Sequence, residues 1–138
     1  MDESLNAAAF DEESYFRTGD LGYLDEAGYV VITGRLKDVI IRKGENISAK
    51  EVEDLLYPHP KVEDVAVIGL PDPKSGERCC AVVACGSGAP LEFEEMVSFL
   101  KEQGLMIQKI PEQLELVSEL PRNPTGKILK HELRKRYA

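Results

Sequence analysis

Two nearly continuous apolar runs, separated by one short loop, constrain the fold of this 138-residue chain more than any other feature. The first occupies residues 64–70 and the second residues 78–85. Apolar runs of this length, bounded by turn-forming residues, are typical of buried central strands. The segment between them, residues 71–76, contains two prolines and a glycine and is predicted to be a loop. The chain therefore builds its core around a sheet that other elements cover.

Helix signals flank these runs. Residues 48–51 read Ser-Ala-Lys-Glu, a capping box in which Ser48 caps the first turn and Glu51 reaches back to it. The helix that begins there ends before Pro58, because proline lacks the N–H that would continue the hydrogen-bond ladder. Three further elements are predicted: a helix at 92–103, a sheet strand at 113–117 and a terminal helix at 128–136.

The order of elements after residue 38 predicts a small α+β domain, with a three-stranded mixed sheet covered by helices. A β-hairpin precedes it, because two β-prone runs flank the turn residues 25–28. A further short strand at 38–42 is expected to be broken by residues 43–46. Residues 1–14 show no periodicity and are predicted to be an irregular chain end without the pattern of a signal peptide.

The hairpin of residues 21–36 stands apart from this domain. A hairpin alone is only marginally stable in water, so we expect it to pack against another domain. Its apolar side chains, among them Tyr23, Tyr29 and Val31, would lack that cover in this chain. We expect them to promote self-association or disorder.

Charge is distributed unevenly over this acidic chain, whose net charge is −8. Residues 29–45 hold four bases against two acids, and residues 121–138 hold six bases against one acid. An acidic body repels nucleic acid, whereas two small positive islands suit a small polyanion such as a nucleotide. For the second island, cations on a solvated terminal helix remain an equal alternative.

The three cysteines, Cys79, Cys80 and Cys85, match no zinc-binding spacing, so no metal site is predicted. Adjacent cysteines on a strand point to opposite faces of the sheet. We expect packed, reduced thiols, as in a cytoplasmic protein. No apolar run approaches the ~18 residues of a membrane span.

Three segments carry a resemblance to a known family. They are Tyr-Phe-Arg-Thr-Gly-Asp-Leu-Gly at 15–22, the run from Gly-Arg-Leu-Lys-Asp to Lys-Glu-Val-Glu at 34–53, and Pro-Arg-Asn-Pro-Thr-Gly-Lys-Ile at 121–128. Occurring together and in this order, they resemble the adenylate-forming superfamily of acyl-CoA synthetases, luciferases and peptide-synthetase adenylation domains. The resemblance implies the C-terminal part of an AMP-forming acyl-CoA synthetase. Residues 1–36 would then end the large N-terminal domain, and residues 37–138 would form the C-terminal lid domain.

Two residues are implied to bind the nucleotide. Asp20 resembles the family's ribose-binding aspartate, and an ionised carboxylate can accept hydrogen bonds from two adjacent hydroxyls. Arg35 resembles an arginine that also contacts the nucleotide, for which a permanently charged guanidinium is suited. The alternatives are a turn-capping role for Asp20 and a surface ion pair between Arg35 and Asp38.

Lys127 is the predicted catalytic residue. The resemblance implies that its ammonium bridges the substrate carboxylate and the α-phosphate of ATP during adenylation, and Gly126 leaves room for close approach. The segment is not a phosphate-binding P-loop, because it lacks the upstream glycine and the following serine or threonine. A lysine that merely leads the terminal helix is the alternative.

The second motif implies a hinge and a tunnel. Lys37 corresponds to the hinge about which the lid swings between two catalytic poses, so it should be exposed. The loop containing Gly44, Glu45 and Asn46 resembles the segment that lines the pantetheine tunnel of coenzyme A. The neighbouring Arg42 and Lys43 are weaker candidates for attracting the phosphates of coenzyme A.

The implied enzyme joins a fatty or alicyclic carboxylic acid to coenzyme A, using ATP with Mg²⁺ and forming an acyl-adenylate on the way. Its partners would be its own N-terminal domain, the acid, ATP and coenzyme A, and the chain alone would be inactive. Two other functions stay open. One is a related adenylating domain that passes acyl groups to a carrier protein. The other is a non-enzymatic α+β module that binds a small ligand.

Overall fold

A computed structural model describes residues 3–138 of the chain. The predicted irregular end, residues 1–14, is corrected in part: Glu3–Ala9 forms helix α1, for which its three alanines are strong helix formers. Met1 and Asp2 lie outside the described residues. The remaining elements are β1 Asp20–Leu24, β2 Val30–Arg35, β3 Val39–Arg42, β4 Glu45–Ser48, α2 Ala49–Leu56, β5 Val62–Asp72, β6 Gly76–Cys85, α3 Phe93–Glu102, β7 Gln113–Val117 and α4 Lys130–Tyr137.

The predicted α+β class with a mixed sheet is confirmed. Strands β5 and β6 form a long antiparallel pair, and β7 runs parallel to β6. The number of strands in this sheet is corrected from three to five, in the order β4-β3-β6-β5 with β7 beside β6. Strand β3 joins the sheet where Arg42 is paired with Gly76, at the start of β6.

The additional strand β4 arises because the predicted break at residues 43–46 is a tight hairpin turn. Arg42 pairs with Glu45, so only Lys43 and Gly44 connect the two strands. Both have positive φ, 52° and 79°, as a two-residue turn of the primed type requires. The chain therefore reverses direction there, and β4 returns along β3.

Side chains of β5 and β6 alternate between two apolar layers. Val67 and Cys79 belong to the layer covered by α2 and α3, together with Met96 and Leu100. Ile68, Cys80 and Val82 belong to the opposite layer, together with Leu133 of α4 and with Leu120. This confirms that the adjacent cysteines point to opposite faces, and it explains why both strands read as continuous apolar runs.

The helix that follows β4 begins at its predicted cap. The Ser48 hydroxyl accepts a hydrogen bond from the Glu51 N–H at 3.3 Å. The other half of the predicted box is wrong, because the Glu51 carboxylate accepts instead from Lys109 Nζ at 2.9 Å. A reciprocal capping box does occur at α3, where the Glu92 N–H donates to Glu95 at 3.0 Å. The Glu51 carboxylate therefore binds Lys109, 58 positions away, and not the Ser48 N–H of its own helix start.

The predicted hairpin is confirmed as β1 and β2, which pair antiparallel. Its exposed apolar side chains lie on both faces and not on one. Tyr23 is more than half exposed, and so are Val30 and Ile32, whose side chains point to the opposite face of the hairpin. Val31, predicted to be orphaned, is half-buried. The hairpin meets the rest of the chain near the start of α2, where Ser48 Oγ donates to the Thr33 carbonyl at 3.4 Å.

Thiol burial distinguishes the three cysteines. Burial raises the pKa of the Cys79 and Cys80 thiols to about 12, whereas Cys85 lies at the end of β6 and is only half-buried. Among residues 3–138, no helix is both long enough and apolar enough to cross a membrane.

We predict that Cys85 alone reacts quickly with an aromatic disulfide reagent at about pH 8, and that all three thiols react in urea. The raised pKa of Cys79 and Cys80 keeps their protons bound in the folded state, while an unfolded chain loses them. The free energy of unfolding should therefore fall as the pH rises from about 9 towards about 12. Two fast-reacting thiols, or a fast phase that persists in Cys85→Ser, would contradict this.

Candidate functional site

An open cavity of about 830 Å³ lies where the hairpin, the start of α2, the 3₁₀ turn Leu36–Asp38 and the segment before α4 meet. Four of the predicted site residues line it: Asp20, Arg35, Lys37 and Lys127. They come from three segments that are far apart in sequence. Basic side chains outnumber acidic ones on its walls, and the other ionisable lining residues are Asp38, Lys50, Glu53, Arg122, Lys130, His131 and Arg134.

Asp20 and Arg35 face each other across the hairpin. They are paired residues of β1 and β2, and Arg35 Nε lies 3.3 Å from Asp20 Oδ1. The alternative ion pair between Arg35 and Asp38 is not formed, because Asp38 is paired with cations of α4. The Asp20 N–H donates a hydrogen bond to Thr18 Oγ1 at 3.1 Å. The pair places a carboxylate beside a guanidinium at the cavity wall.

Lys127 follows a closed turn. Arg122 bridges to Ile128, and Asn123 and Lys127 form the closing pair, in which the Asn123 N–H donates to the Lys127 carbonyl at 2.9 Å. The Gly126 N–H donates to the Asn123 carbonyl at 2.9 Å, and Gly126 has φ of +86°. Asparagine first, proline second and glycine fourth are the residues that such a turn favours, and glycine accepts the positive φ without strain.

The side chain of Asn123 fixes the same turn from inside. Its Oδ1 accepts hydrogen bonds from the Lys127 N–H at 2.8 Å and from the Thr125 hydroxyl at 2.7 Å. The Lys127 side chain is exposed at the cavity, and within residues 3–138 no carboxylate lies within ion-pair distance of its ammonium. The turn is therefore ordered at its backbone while the ammonium stays available for an anion.

Lys37 lies in the middle of the 3₁₀ turn that connects the hairpin to β3. Its side chain is exposed, as we expect of a hinge. The residue after it is held firmly, because Asp38 is 3.4 Å from Arg134 Nη2 and 3.8 Å from Lys130 Nζ. Lys37 thus separates the hairpin from a segment that is tied to α4.

A network of ion pairs forms the floor of the cavity. Lys130 Nζ lies 2.6 Å from Glu53 Oε1, and the same carboxylate oxygen accepts from the Val67 N–H at 2.8 Å. The network joins α2, β5, α4 and the 3₁₀ turn, so it connects three of the elements that line the cavity to the central sheet.

The predicted tunnel residues do not reach this cavity. Gly44, Glu45 and Asn46 are exposed, with Gly44 in the turn after β3 and the other two at the start of β4. The suggestion that Arg42 attracts phosphates is wrong, because its guanidinium donates to the Gln108 and Ile110 carbonyls and faces Glu112. Arg42 is thereby committed to the segment before β7. Lys43 remains exposed.

In the part of the chain that the structure describes, no group of three or more histidine, cysteine, aspartate or glutamate side chains is placed to hold a metal ion. The cavity is lined by seven lysines and arginines, one histidine and three carboxylates.

 The lysines and arginines outnumber the carboxylates by four, and each of the three carboxylates is already paired with a cation. The excess of positive charge suits an anion that carries several charges.

Comparison with known proteins shows the family of the chain. The profile of the family described as "AMP-binding enzyme C-terminal domain" matches residues 51–127. The chain belongs to this family. The match ends at Lys127, and it does not include the hairpin or the 3₁₀ turn Leu36–Asp38.

Relatives extend the similarity of this AMP-binding enzyme C-terminal domain to nearly the whole chain. The medium-chain fatty-acid–CoA ligase of Escherichia coli K12 is 48% identical over 132 residues, which are 95% of this chain and 23% of the relative. The 2,3-dihydroxybenzoate-AMP ligase of Bacillus subtilis is 43% identical over 96% of this chain and 24% of its own length. The chain thus spans about a quarter of the length of these relatives.

One solved protein is similar in two states. ATP-bound MatB from Rhodopseudomonas palustris has a TM-score of 0.90 at 38% identity, covering 98% of this chain and 27% of MatB. Apo MatB has a TM-score of 0.75 at 39% identity, with the same coverage. Identity and coverage hardly differ between the two, so the chain as a whole is more similar in structure to the ATP-bound form.

The network of Asp38, Glu53, Lys130 and Arg134 was missed by the sequence analysis. Glu53 of α2 and Lys130 of α4 are 77 positions apart in the sequence, and the folding of the chain brings them together. The one available signal was the excess of bases at 121–138, which was interpreted as a binding surface or a solvated helix.

We predict that Lys130→Met lowers the free energy of unfolding by about 1–3 kcal/mol, because it leaves Glu53 partly buried without its cation and removes one of the two cations that face Asp38. The side chain of Lys130 is 15% exposed. Lys50→Met is the matched control, since it breaks the exposed pair with Asp54 and should cost at most about 0.5 kcal/mol. Urea unfolding followed by circular dichroism measures both, and equal effects would count against a structural network.

Proposed function

We propose that this chain is the hinge and lid of an AMP-forming ligase that joins a carboxylic acid to coenzyme A. The observation that carries the proposal is the meeting of Asp20, Arg35 and Lys127 in one cationic cavity. Residues 1–36 then belong to the end of a large N-terminal domain and residues 37–138 to the lid. That boundary falls at Lys37, between the hairpin and the segment held by α4.

The cavity offers groups suited to each part of ATP. The Asp20 carboxylate can accept hydrogen bonds from the two ribose hydroxyls, and Arg35 holds that carboxylate in place while keeping further N–H donors for oxygen atoms. The Lys127 ammonium, unpaired with any described carboxylate, can neutralise the charge that develops as the acid attacks the α-phosphate. Mg²⁺ would enter with the phosphates of the nucleotide.

The conformation supports an adenylation pose. The chain as a whole is more similar in structure to ATP-bound MatB than to apo MatB. In this arrangement Lys127, which belongs to the lid, and Asp20, which precedes the hinge, line the same cavity. A pose that brings these residues together is the one that the first half-reaction needs.

The second half-reaction requires the other end of β3. We assign Lys37 as the pivot, and Gly44, Glu45 and Asn46 as the segment that lines the tunnel for the pantetheine arm of coenzyme A. Backbone at the turn is accessible, because nothing lies within 4 Å of where a Gly44 Cβ would sit. Rotation about Lys37 would carry Lys127 away and bring this turn to the acyl-adenylate.

The similarity to the medium-chain fatty-acid–CoA ligase favours a fatty or alicyclic acid as substrate. A second candidate is an enzyme that transfers the acyl group to a carrier protein, which the similarity to an aryl-acid–AMP ligase favours. Both would use the same adenylation site, and we place either in the cytoplasm. Incubating the full-length enzyme and its acyl-adenylate with coenzyme A or with a carrier protein separates them.

We predict that Lys127→Ala in the full-length enzyme slows acyl-adenylate formation by about 100- to 1,000-fold, because one preorganised charge is lost from the transition state. Pyrophosphate release in single turnover measures this step. Thioester formation from supplied acyl-adenylate should change by less than about threefold, since the ammonium acts only in the first half-reaction.

Lys135→Ala is the matched control, because Lys135 is an exposed cation of α4 that does not line the cavity. It should leave both half-reactions unchanged. If Lys127→Ala forms acyl-adenylate at the normal rate, Lys127 is not catalytic and the proposed function loses its central residue.

We also predict that the chain by itself associates through its hairpin, because Val30 and Ile32 are more than half exposed on one face. Sedimentation velocity should show concentration-dependent association, and the double substitution Val30→Ser, Ile32→Ser should weaken it at least about tenfold. Tyr57→Ser, at a comparably exposed aromatic residue of the lid, is the control. A monomer at all concentrations would contradict this prediction.

A further inference from the structure

We propose that Arg122 and Asp64 form a positioning device that holds Lys127 at the reaction site. The inference rests on the proposed function, because it concerns how the predicted catalytic lysine is presented. Neither residue was singled out for chemistry by the sequence. Arg122 precedes the closed turn, and Asp64 lies near the start of β5, 58 positions away.

The guanidinium of Arg122 holds two groups at once. Its Nη1 donates to the Gly126 carbonyl at 2.5 Å, and its Nη2 donates to the Asp64 carboxylate. The Gly126 carbonyl belongs to the peptide group that contains the Lys127 nitrogen, and that group is planar. Fixing the carbonyl therefore fixes the direction in which the chain enters Lys127.

Asp64 is held in the central pair of strands, β5 and β6. Its Oδ1 also accepts from the Val65 N–H at 3.0 Å, and the residue is paired with Ala84 in the central strand pair. From Val65 onwards, β5 is buried through Leu70. The bridge from Asp64 through Arg122 to Gly126 thus connects the turn before Lys127 to the central strand pair, and not to another loop.

The turn keeps its own shape without this bridge. Asn123 closes it through its backbone and side chain, and Leu120 is buried just before it. Breaking the bridge should therefore leave the domain folded and the turn intact, while the turn loses its fixed position on the sheet. A displacement of about 1 Å at a catalytic group can cost on the order of 100-fold in rate.

Arg122 also lines the cavity, so a direct contact with the nucleotide would be a different explanation of its effect. Asp64 does not line that cavity, so its substitution reaches the nucleotide site by way of Arg122. Combining it with Lys127→Ala separates the two explanations, because a direct contact of Arg122 with the nucleotide predicts a further loss and positioning of Lys127 predicts none.

The test uses the full-length enzyme with Asp64→Asn and Arg122→Lys. Asparagine keeps the shape of Asp64 but removes its charge, and lysine lacks the planar fork that serves both acceptors. Each substitution should slow pyrophosphate release in single turnover by roughly 10- to 100-fold. Thioester formation from supplied acyl-adenylate should change by less than about twofold. Circular dichroism and urea unfolding establish that each variant is folded.

Glu95→Gln is the matched control. It breaks the Lys61–Glu95 ion pair, whose side chains are exposed to a similar degree, on the opposite face of the sheet. Glutamine can still accept the capping hydrogen bond from the Glu92 N–H. Both half-reactions of this variant should match those of the unaltered enzyme.

Combination with Lys127→Ala completes the test. If Asp64 acts through Lys127, adding Asp64→Asn to Lys127→Ala should cause no further loss of adenylation. A normal adenylation rate for Asp64→Asn, an equal loss in both half-reactions, or a further loss in the double variant would each overturn the proposal. The proposed function itself fails separately, when Lys127→Ala alone has no effect.

Discussion

The arrangement of this domain depends on one constraint, which is the burial of β5 and β6 on both faces of the sheet. Alternate side chains of the two strands enter different apolar layers, so α2 and α3 must cover one face while α4 covers the other. Leu133 is the buried residue of α4 that seats the helix. The start of α4 and the start of α2 are thereby held close to one edge, and that is where the charged side chains of the cavity arise.

Cations in the cavity fall into two groups that composition alone could not separate. Lys130 and Arg134 are tied to Glu53 and Asp38, and Arg122 is tied to Asp64. Lys37 and Lys127 have no such carboxylate partner among residues 3–138. The paired cations connect elements of the fold to each other, whereas the ammonium of Lys127 is exposed in the cavity. The basic segment 121–138 therefore contributes both to the ion-pair network and to the positive charge of the cavity.

Local patterns in the sequence were sufficient for much of the fold. The strand Gln113–Val117, the hairpin and the Ser48 cap all depend on neighbours within a few residues, and all were predicted correctly. The errors share a different cause. Strand β4 required recognition of the positive φ at Lys43, which side chains of this type seldom adopt, and Glu51 found a partner 58 positions away. Long-range ion pairs cannot be recognised from spacing, because they depend on how the helices pack.

Under the proposed function, the separation of the two sites explains why the lid has to move. Lys127 shares its cavity with Lys37 and Asp38, immediately before β3, whereas Gly44 lies beyond the other end of that strand. Four residues of strand span about 13 Å, so Lys127 and the Gly44 turn cannot both contact one reacting carbonyl in a single pose. Since Asp38 is tied to α4, we expect the change to occur before it, at Lys37, and the residues after it to move with the lid.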